Sequence, residues 1–272
     1  MGILTALKTA TIMTSNKITL LDGNQYDRAE LLKRMDDDTF YYGELNKLAL
    51  SSSSLKQILA SPKTYKYSLE YGSGESQALR DGWLFHTAIL EPEVFAAQTF
   101  IEVQSKNTKK FKEAKLELGR VFTAKERSDA ERLVDAFFKN EHAKELITKA
   151  EFEVPGIDNI KGLPFRGKAD VLADNRIVDL KTSSSSVKDF HYSAQKYSYD
   201  VQCYLYCNLF NKNHEDFYFL VLDKGSLDIG IFNCSENFYH RGEEKVEKAL
   251  KLYEQFFIDG ADIDNYCLTG QL

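Results

Sequence analysis

The chain has 272 residues, 43% of them hydrophobic and 28% charged, with a net charge of −6 at pH 7. That length can bury a sizeable core, and the proportions exclude a disordered or fibrous chain. The acidic balance excludes a surface coated throughout in nucleic-acid-binding charge, so any such groups must be concentrated in a cleft or channel.

No stretch reaches the ~20 consecutive apolar residues that cross a bilayer, and no membrane partner is expected. The start, MGILTALKTATIMTSNK, lacks the basic start and long apolar centre of a signal peptide. Gly2 stands where a myristoylation signal begins, but Ala6 occupies the place that wants Ser or Thr. A cytoplasmic location, in a bacterial or phage-infected host cell, is expected. Cys203, Cys207, Cys234 and Cys267 contain no CxxC pair and make no disulfide framework. Cys203 and Cys207 lie one helical turn apart, the spacing of core packing.

Residues 1–45 alternate polar and apolar segments only weakly and have no assigned role, whereas 46–272 read as a single domain. Ser54 and Gln57 have capping-box spacing before Leu55, Ile58 and Leu59, which predicts a short helix stopping near Pro62. A second helix is expected over 77–90, and a third opens on the Thr123–Glu126 capping box and runs through Phe138. From Glu151 the period changes to two. Segments 151–155, 164–172 and 176–181 read as an antiparallel meander with turns near Asn159–Gly162 and Ala173–Asn175. A helix over 199–210, strands over 216–222 and 226–233, and an amphipathic helix over 236–257 follow. The pattern predicts an α/β sandwich around a mixed sheet.

The stretch RGKADVLADNRIVDLKT, residues 166–182, holds the candidate chemistry. Arg166, Lys168 and Asp170 share one strand face, and Ile177, Asp179 and Lys181 share one on the next. Paired strands bring Asp170 and Asp179 together with a lysine beside them. Two close carboxylates repel unless a cation sits between them, and Mg²⁺ favours oxygen ligands. The carbonyl of Leu180, between Asp179 and Lys181, is a further candidate oxygen ligand. Water at such a metal attacks phosphorus, and Lys181 would orient it or balance the developing charge. An Asp…DxK pattern standing alone arises by chance, and its plain reading is a turn with a solvated surface pair.

Its companions resemble the PD-(D/E)XK nuclease superfamily, in particular the RecB-like and RecE-like branch of phage recombination exonucleases (exonuclease VIII, lambda exonuclease-like). A GxxxHxxxLEP element matches Gly82, His86, Leu90, Glu91 and Pro92. An SxSxL…SPxxY segment is echoed by Ser51, Ser53, Leu55, Ser61, Pro62 and Tyr65. The strand glutamate is matched best by Glu151 in KAEFEVPG, although Glu153 shares its strand face and fits the pattern too. QxxxY is matched by Gln202 and Tyr206. The matches follow the family's order over about residues 50–210.

The resemblance implies a restriction-endonuclease-like core in which Glu151, Asp170, Asp179 and Lys181 are catalytic. It also implies Mg²⁺ (or Mn²⁺) held by His86, Asp170, Asp179 and the Leu180 carbonyl. Gln202 and Tyr206 are implied to support the site and touch DNA, and Arg166 and Lys168 are candidate phosphate contacts. The implied activity is 5′ to 3′ digestion of linear double-stranded DNA. It leaves tails for a RecT- or beta-like single-strand annealing protein, and the enzyme works as a homo-oligomeric ring of three or four copies. Another RecB-like nuclease, acting on single strands or with a helicase, and an inactive DNA-binding member of the fold stand as alternatives. The iron–sulfur branch needs a cysteine upstream of the core, and none precedes Cys203. No GxSxG elbow, HExxH pair or phosphate loop is present.

Overall fold

The computed structural model describes residues 16–269. Gly2 and Ala6 lie outside the described residues. From residue 16 the N-terminal segment forms a hairpin of β1 (Lys17–Thr19) and β2 (Gln25–Asp27) and a helix α1 (Arg28–Arg34). A single π-helical turn (Phe40–Glu44) and a short α2 (Leu45–Leu48) complete it. Ile18, Leu20, Leu31, Met35, Phe40 and Leu45 bury together against Ile157 of the central sheet.

Helix α3 (Ser52–Ala60) starts one turn earlier than the sequence predicts, because Ser51 rather than Ser54 is the cap. Ser51 and Ser54 bond each other's backbone N–H reciprocally. Pro62 does more than stop that helix: it opens α4 (Pro62–Tyr71), where its fixed φ and missing N–H suit a first turn. Helix α5 (Gln77–Leu90) occupies the expected range. Then come α6 (Pro92–Ala96), β3 (Phe100–Ile101), α7 (Lys109–Leu118), β4 (Phe122–Thr123), α8 (Ala124–Lys139) and α9 (Glu141–Ile147). The Thr123–Glu126 box caps α8 as predicted, a contribution of about 1 kcal/mol.

The central sheet is built from β5 (Glu151–Ile160), β6 (Leu163–Ala173), β7 (Arg176–Ser183), β8 (Phe217–Asp223) and β9 (Ile229–Asn233), paired in that order. The first three strands form the predicted antiparallel meander, and β8–β9 is antiparallel. Strands β7 and β8 run parallel, so a crossover must join them. It is made by α10 (Phe190–Lys196) and α11 (Tyr199–Phe210). Helix α12 (Glu236–Tyr253) closes the chain, ending in a π-helical turn at Glu254–Ile258.

Alternation along β7 and β8 gives each face its own core. Ile177, Phe217, Phe219 and Val221 pack against α3, α10, α11 and α12. Val178, Leu180, Leu220 and Leu222 pack against α5, α8 and α9. Helix α5 is locked to α8 by a buried ion pair, with Arg80 Nε 2.8 Å from Glu126 Oε1. Arg80 Nη2 also donates to the Val121 carbonyl at 2.7 Å. A charged group out of water needs such full pairing, and the network fixes the helix that carries His86. Helix α11 packs on the other face. A Cβ at Gly167 of β6 would lie 3.1 Å from Tyr206 and Leu209 side-chain atoms, so this glycine lets the helix approach the sheet.

Candidate active site

The register of β6 on β7 (Val171↔Val178, Leu172↔Ile177) continues to place Asp170 opposite Asp179, but the backbone ladder stops at Val171. The Asp170 side chain fills the gap: its Oδ2 accepts from the Leu180 N–H at 2.8 Å. The two carboxylates therefore stand side by side where the strands separate. Asp179 is 2% exposed. Its Oδ1 accepts from Gln202 Nε2 at 2.5 Å, and its Oδ2 lies 2.5 Å from Lys181 Nζ. Beyond this ion pair Asp179 Oδ2 is buried with no further partner. From the other face, α5 brings His86 Nδ1 to 3.4 Å from Asp170 Oδ2. Burial raises the Asp170 carboxyl above its usual range, countered by His86 and reinforced by the Asp179 charge. For Lys181 burial works against the charged form, but Asp179 and Asp170 outweigh it and hold the ammonium protonated.

The structure separates the two candidate strand glutamates by register. Glu151, the sequence's best match, is exposed at the start of β5 and pairs with Leu172. The pairs Phe152↔Val171 and Val154↔Ala169 instead set Glu153 opposite Asp170. Glu153 is half-buried and takes φ +50°, a left-handed conformation that costs a non-glycine residue on the order of 1 kcal/mol. Burial pushes its carboxyl up to about 8, and the Asp170 and Glu91 charges push the same way. Glu151 and Glu153 share a strand parity, so register alone separates them. The two-residue turn Lys161–Gly162 is the signal that fixes it: counting back from the turn pairs Glu153 with Asp170.

Of the four residues assigned to DNA contact three are buried and Lys168 is half-buried, while Gln202 supports the site as the resemblance implies. Gln202 is 7% and Tyr206 8% exposed, so both face the protein. Gln202 positions Asp179, and Tyr206 packs over Gly167. Arg166 is 4% exposed, donates to Asn46 Oδ1 at 2.6 Å and lies over the Tyr41 ring. Lys168 Nζ pairs with Asp38 Oδ1 at 3.0 Å. These two cations hold the N-terminal segment against β6 beside Glu153. Leu180 meets the cluster through its N–H, which donates to Asp170 Oδ2. Asp38, Tyr41 and Asn46 come from a segment without periodic pattern, so nothing in the sequence signals them.

Among the described residues no three His, Cys, Asp or Glu side chains are already gathered into a metal cage. The chemistry of the donor set nonetheless fits a divalent cation. Asp170 is raised partly by Asp179, and buried Asp179 Oδ2 meets only the Lys181 ammonium. A cation between them relieves both conditions.

Residues 51–262 match the family described as PDDEXK-like domain of unknown function (DUF3799). No curated protein matches the chain. Among solved structures, one from Eubacterium rectale named "Putative exonuclease" is similar with a TM-score of 0.57 and 17% identity, covering 87% of this chain and 95% of its own. A structure named SSO0001 has a TM-score of 0.37 and 16% identity, covering 82% and 85%. A phage related exonuclease from Haemophilus somnus 129PT has a TM-score of 0.35 and 17% identity, covering 79% and 98%. At such identities the likeness speaks to fold alone. The mixed five-stranded sheet flanked by helices, and a family match over most of the chain, agree with each other. The chain belongs to the family of PDDEXK-like domains.

Proposed function

We propose that this chain is a metal-dependent deoxyribonuclease that digests linear double-stranded DNA from its ends, 5′ to 3′, leaving single-stranded tails for recombination. The observation that carries the reading is the convergence of Asp170, Asp179 and Lys181, with His86 from one helical layer and Gln202 from the other. The name given to the Eubacterium rectale neighbour agrees with it.

Held by Asp170, Asp179 and His86, with the Leu180 carbonyl as a further donor, Mg²⁺ or Mn²⁺ would supply Lewis-acid charge and a water of lowered pKa. The protein's own groups then set the geometry. Gln202 Nε2 fixes the Asp179 carboxylate, and the Leu180 N–H fixes that of Asp170. Lys181 Nζ, kept protonated by both aspartates, places a positive charge where negative charge grows on the phosphate oxygens. Glu153, opposite Asp170, is the remaining carboxyl at the cluster.

The net charge of −6 bears on assembly. A ring of three or four copies would keep an acidic exterior around a basic channel, and its tail product would pass to an annealing protein. Light scattering on purified protein tests the ring, which fails if the mass is that of one copy. End-labelled linear duplex, carrying 5′-phosphate or 5′-hydroxyl ends, tests the activity in Mg²⁺, Mn²⁺ and EDTA beside closed circles. The expected result is metal-dependent loss of linear duplex from 5′ ends only. Equal cutting of circles overturns the exonuclease reading, and no cutting of any DNA overturns the nuclease reading.

A further inference from the structure

Helix α3 faces the site and carries Lys56. Its Nζ lies 5.0 Å from the centroid of the Tyr199 ring, and Lys181 Nζ lies 5.1 Å from the centroid of the same ring. Tyr199 thus joins two ammonium groups from two elements, one of which touches Asp179.

Their partners differ. Lys181 has Asp179 at 2.5 Å. The other nearby carboxylate, Asp200, is 1% exposed and is taken by Lys245, whose Nζ lies 2.9 and 2.7 Å from its two oxygens. Asp179 is also engaged by Gln202. Among the described residues Lys56 makes neither an ion pair nor a hydrogen bond with a carboxylate, and its half-buried amine faces Lys181 as a like charge. Burial, then Lys181, pushes that amine down to about 8. A cation kept in a partly desolvated place with no carboxylate in contact is a cost that a merely structural role does not explain.

We propose that Lys56 is a phosphate-binding residue of the site: with Tyr199 beneath it, it takes a non-bridging oxygen of the DNA strand next to the cutting centre. The inference rests on the nuclease reading for its substrate. Asp179 and Asp200 favour the Lys56 ammonium only from a distance, each being bonded to another lysine, and an arriving phosphate supplies the direct anionic contact. Lys181 answers charge at the reacting phosphorus, whereas Lys56 anchors the strand.

Lys56→Met and Lys56→Arg test this in two assays and a melt. In EDTA, duplex binding is measured against salt. In Mg²⁺, linear duplex is digested and kcat is separated from KM. Lys56→Met should weaken binding several-fold and reduce the salt slope by about one, as expected for one lost phosphate contact. KM should rise more than kcat falls, and Lys56→Arg should restore most of the binding. Because the amine lacks a carboxylate, Lys56→Met should melt no lower than wild type, whereas a structural lysine would lower the melting temperature. Unchanged affinity and slope in Lys56→Met overturn the proposal, as does a clear drop in melting temperature. Wild-type protein that binds duplex but cuts nothing overturns the nuclease reading and leaves the binding comparison to decide Lys56 by itself.

Discussion

Gln202 Nε2 of α11 donates to Asp179 Oδ1 of β7 at 2.5 Å, so the crossover helix sets the direction of a carboxylate on the sheet. A buried carboxylate oxygen that loses its donor must re-aim or stay unsatisfied. Gln202→Ala should therefore cut kcat by about 10–100-fold, the usual range for a residue that orients a ligand, with a smaller change in KM. Gln202→Glu should be worse, because it sets a third carboxylate beside Asp179. Steady-state digestion of linear duplex checks both, and wild-type kinetics in Gln202→Ala would remove Gln202 from the site.

The sheet and its flanking helices were legible because their periods are strong. The 199–210 and 77–90 helices match in range, and the meander follows from alternation and turn residues. The N-terminal segment was not legible: its elements are three to seven residues long and gain their stability from burial against Ile157. Asp170, Asp179 and Lys181 were found because strand parity puts them on one face. Glu153 was not separated from Glu151, since parity cannot tell residues two apart and only register can. Arg166 and Lys168 looked like phosphate contacts because sequence shows charge but not the Asn46, Tyr41 and Asp38 that absorb it.

Glu153 gives a pH dependence with a definite sign. Its carboxyl is raised from 4.5 to about 8 in the folded chain, by burial and then by Asp170. Between those values the unfolded chain is ionised while the folded one keeps the proton. Stability in EDTA should thus fall as pH rises from 5 to 8. Glu153→Gln keeps the neutral shape and should flatten the decline, though not abolish it, because Asp170 is also raised. Melting curves across that range decide the matter, and identical slopes for the two proteins would count against Glu153.

Asp179→Ala should do two separable things. It leaves the buried Lys181 ammonium without its partner, a loss of about 3–5 kcal/mol for a broken buried pair. It also removes a metal donor, so the rise in melting temperature that Mg²⁺ gives wild type should disappear along with activity. Asp179→Ala/Lys181→Met, which removes both charges, should regain most of the stability and none of the activity. If the double variant melts as low as the single one, the ion pair is not the source of the loss.

Two glycines should respond in opposite directions. A Cβ at Gly242 of α12 would lie 2.1 Å from the Asp200 carbonyl oxygen and 2.7 Å from its carbon. Both are backbone atoms, so no rotamer change relieves the overlap and α11 must move. Gly242→Ala should cost about 1–3 kcal/mol or more, and it should lower activity because the displaced helix carries Gln202. Gly82 lies inside α5, one turn before His86, and a Cβ there meets nothing within 4 Å. Gly82→Ala should stabilise the helix by roughly 0.5–1 kcal/mol. Urea unfolding and duplex digestion on both variants separate packing from substrate access. If Gly82→Ala is more stable yet slower, the open space at Gly82 is where the DNA backbone passes α5; if it is equally fast, DNA approaches His86 from elsewhere.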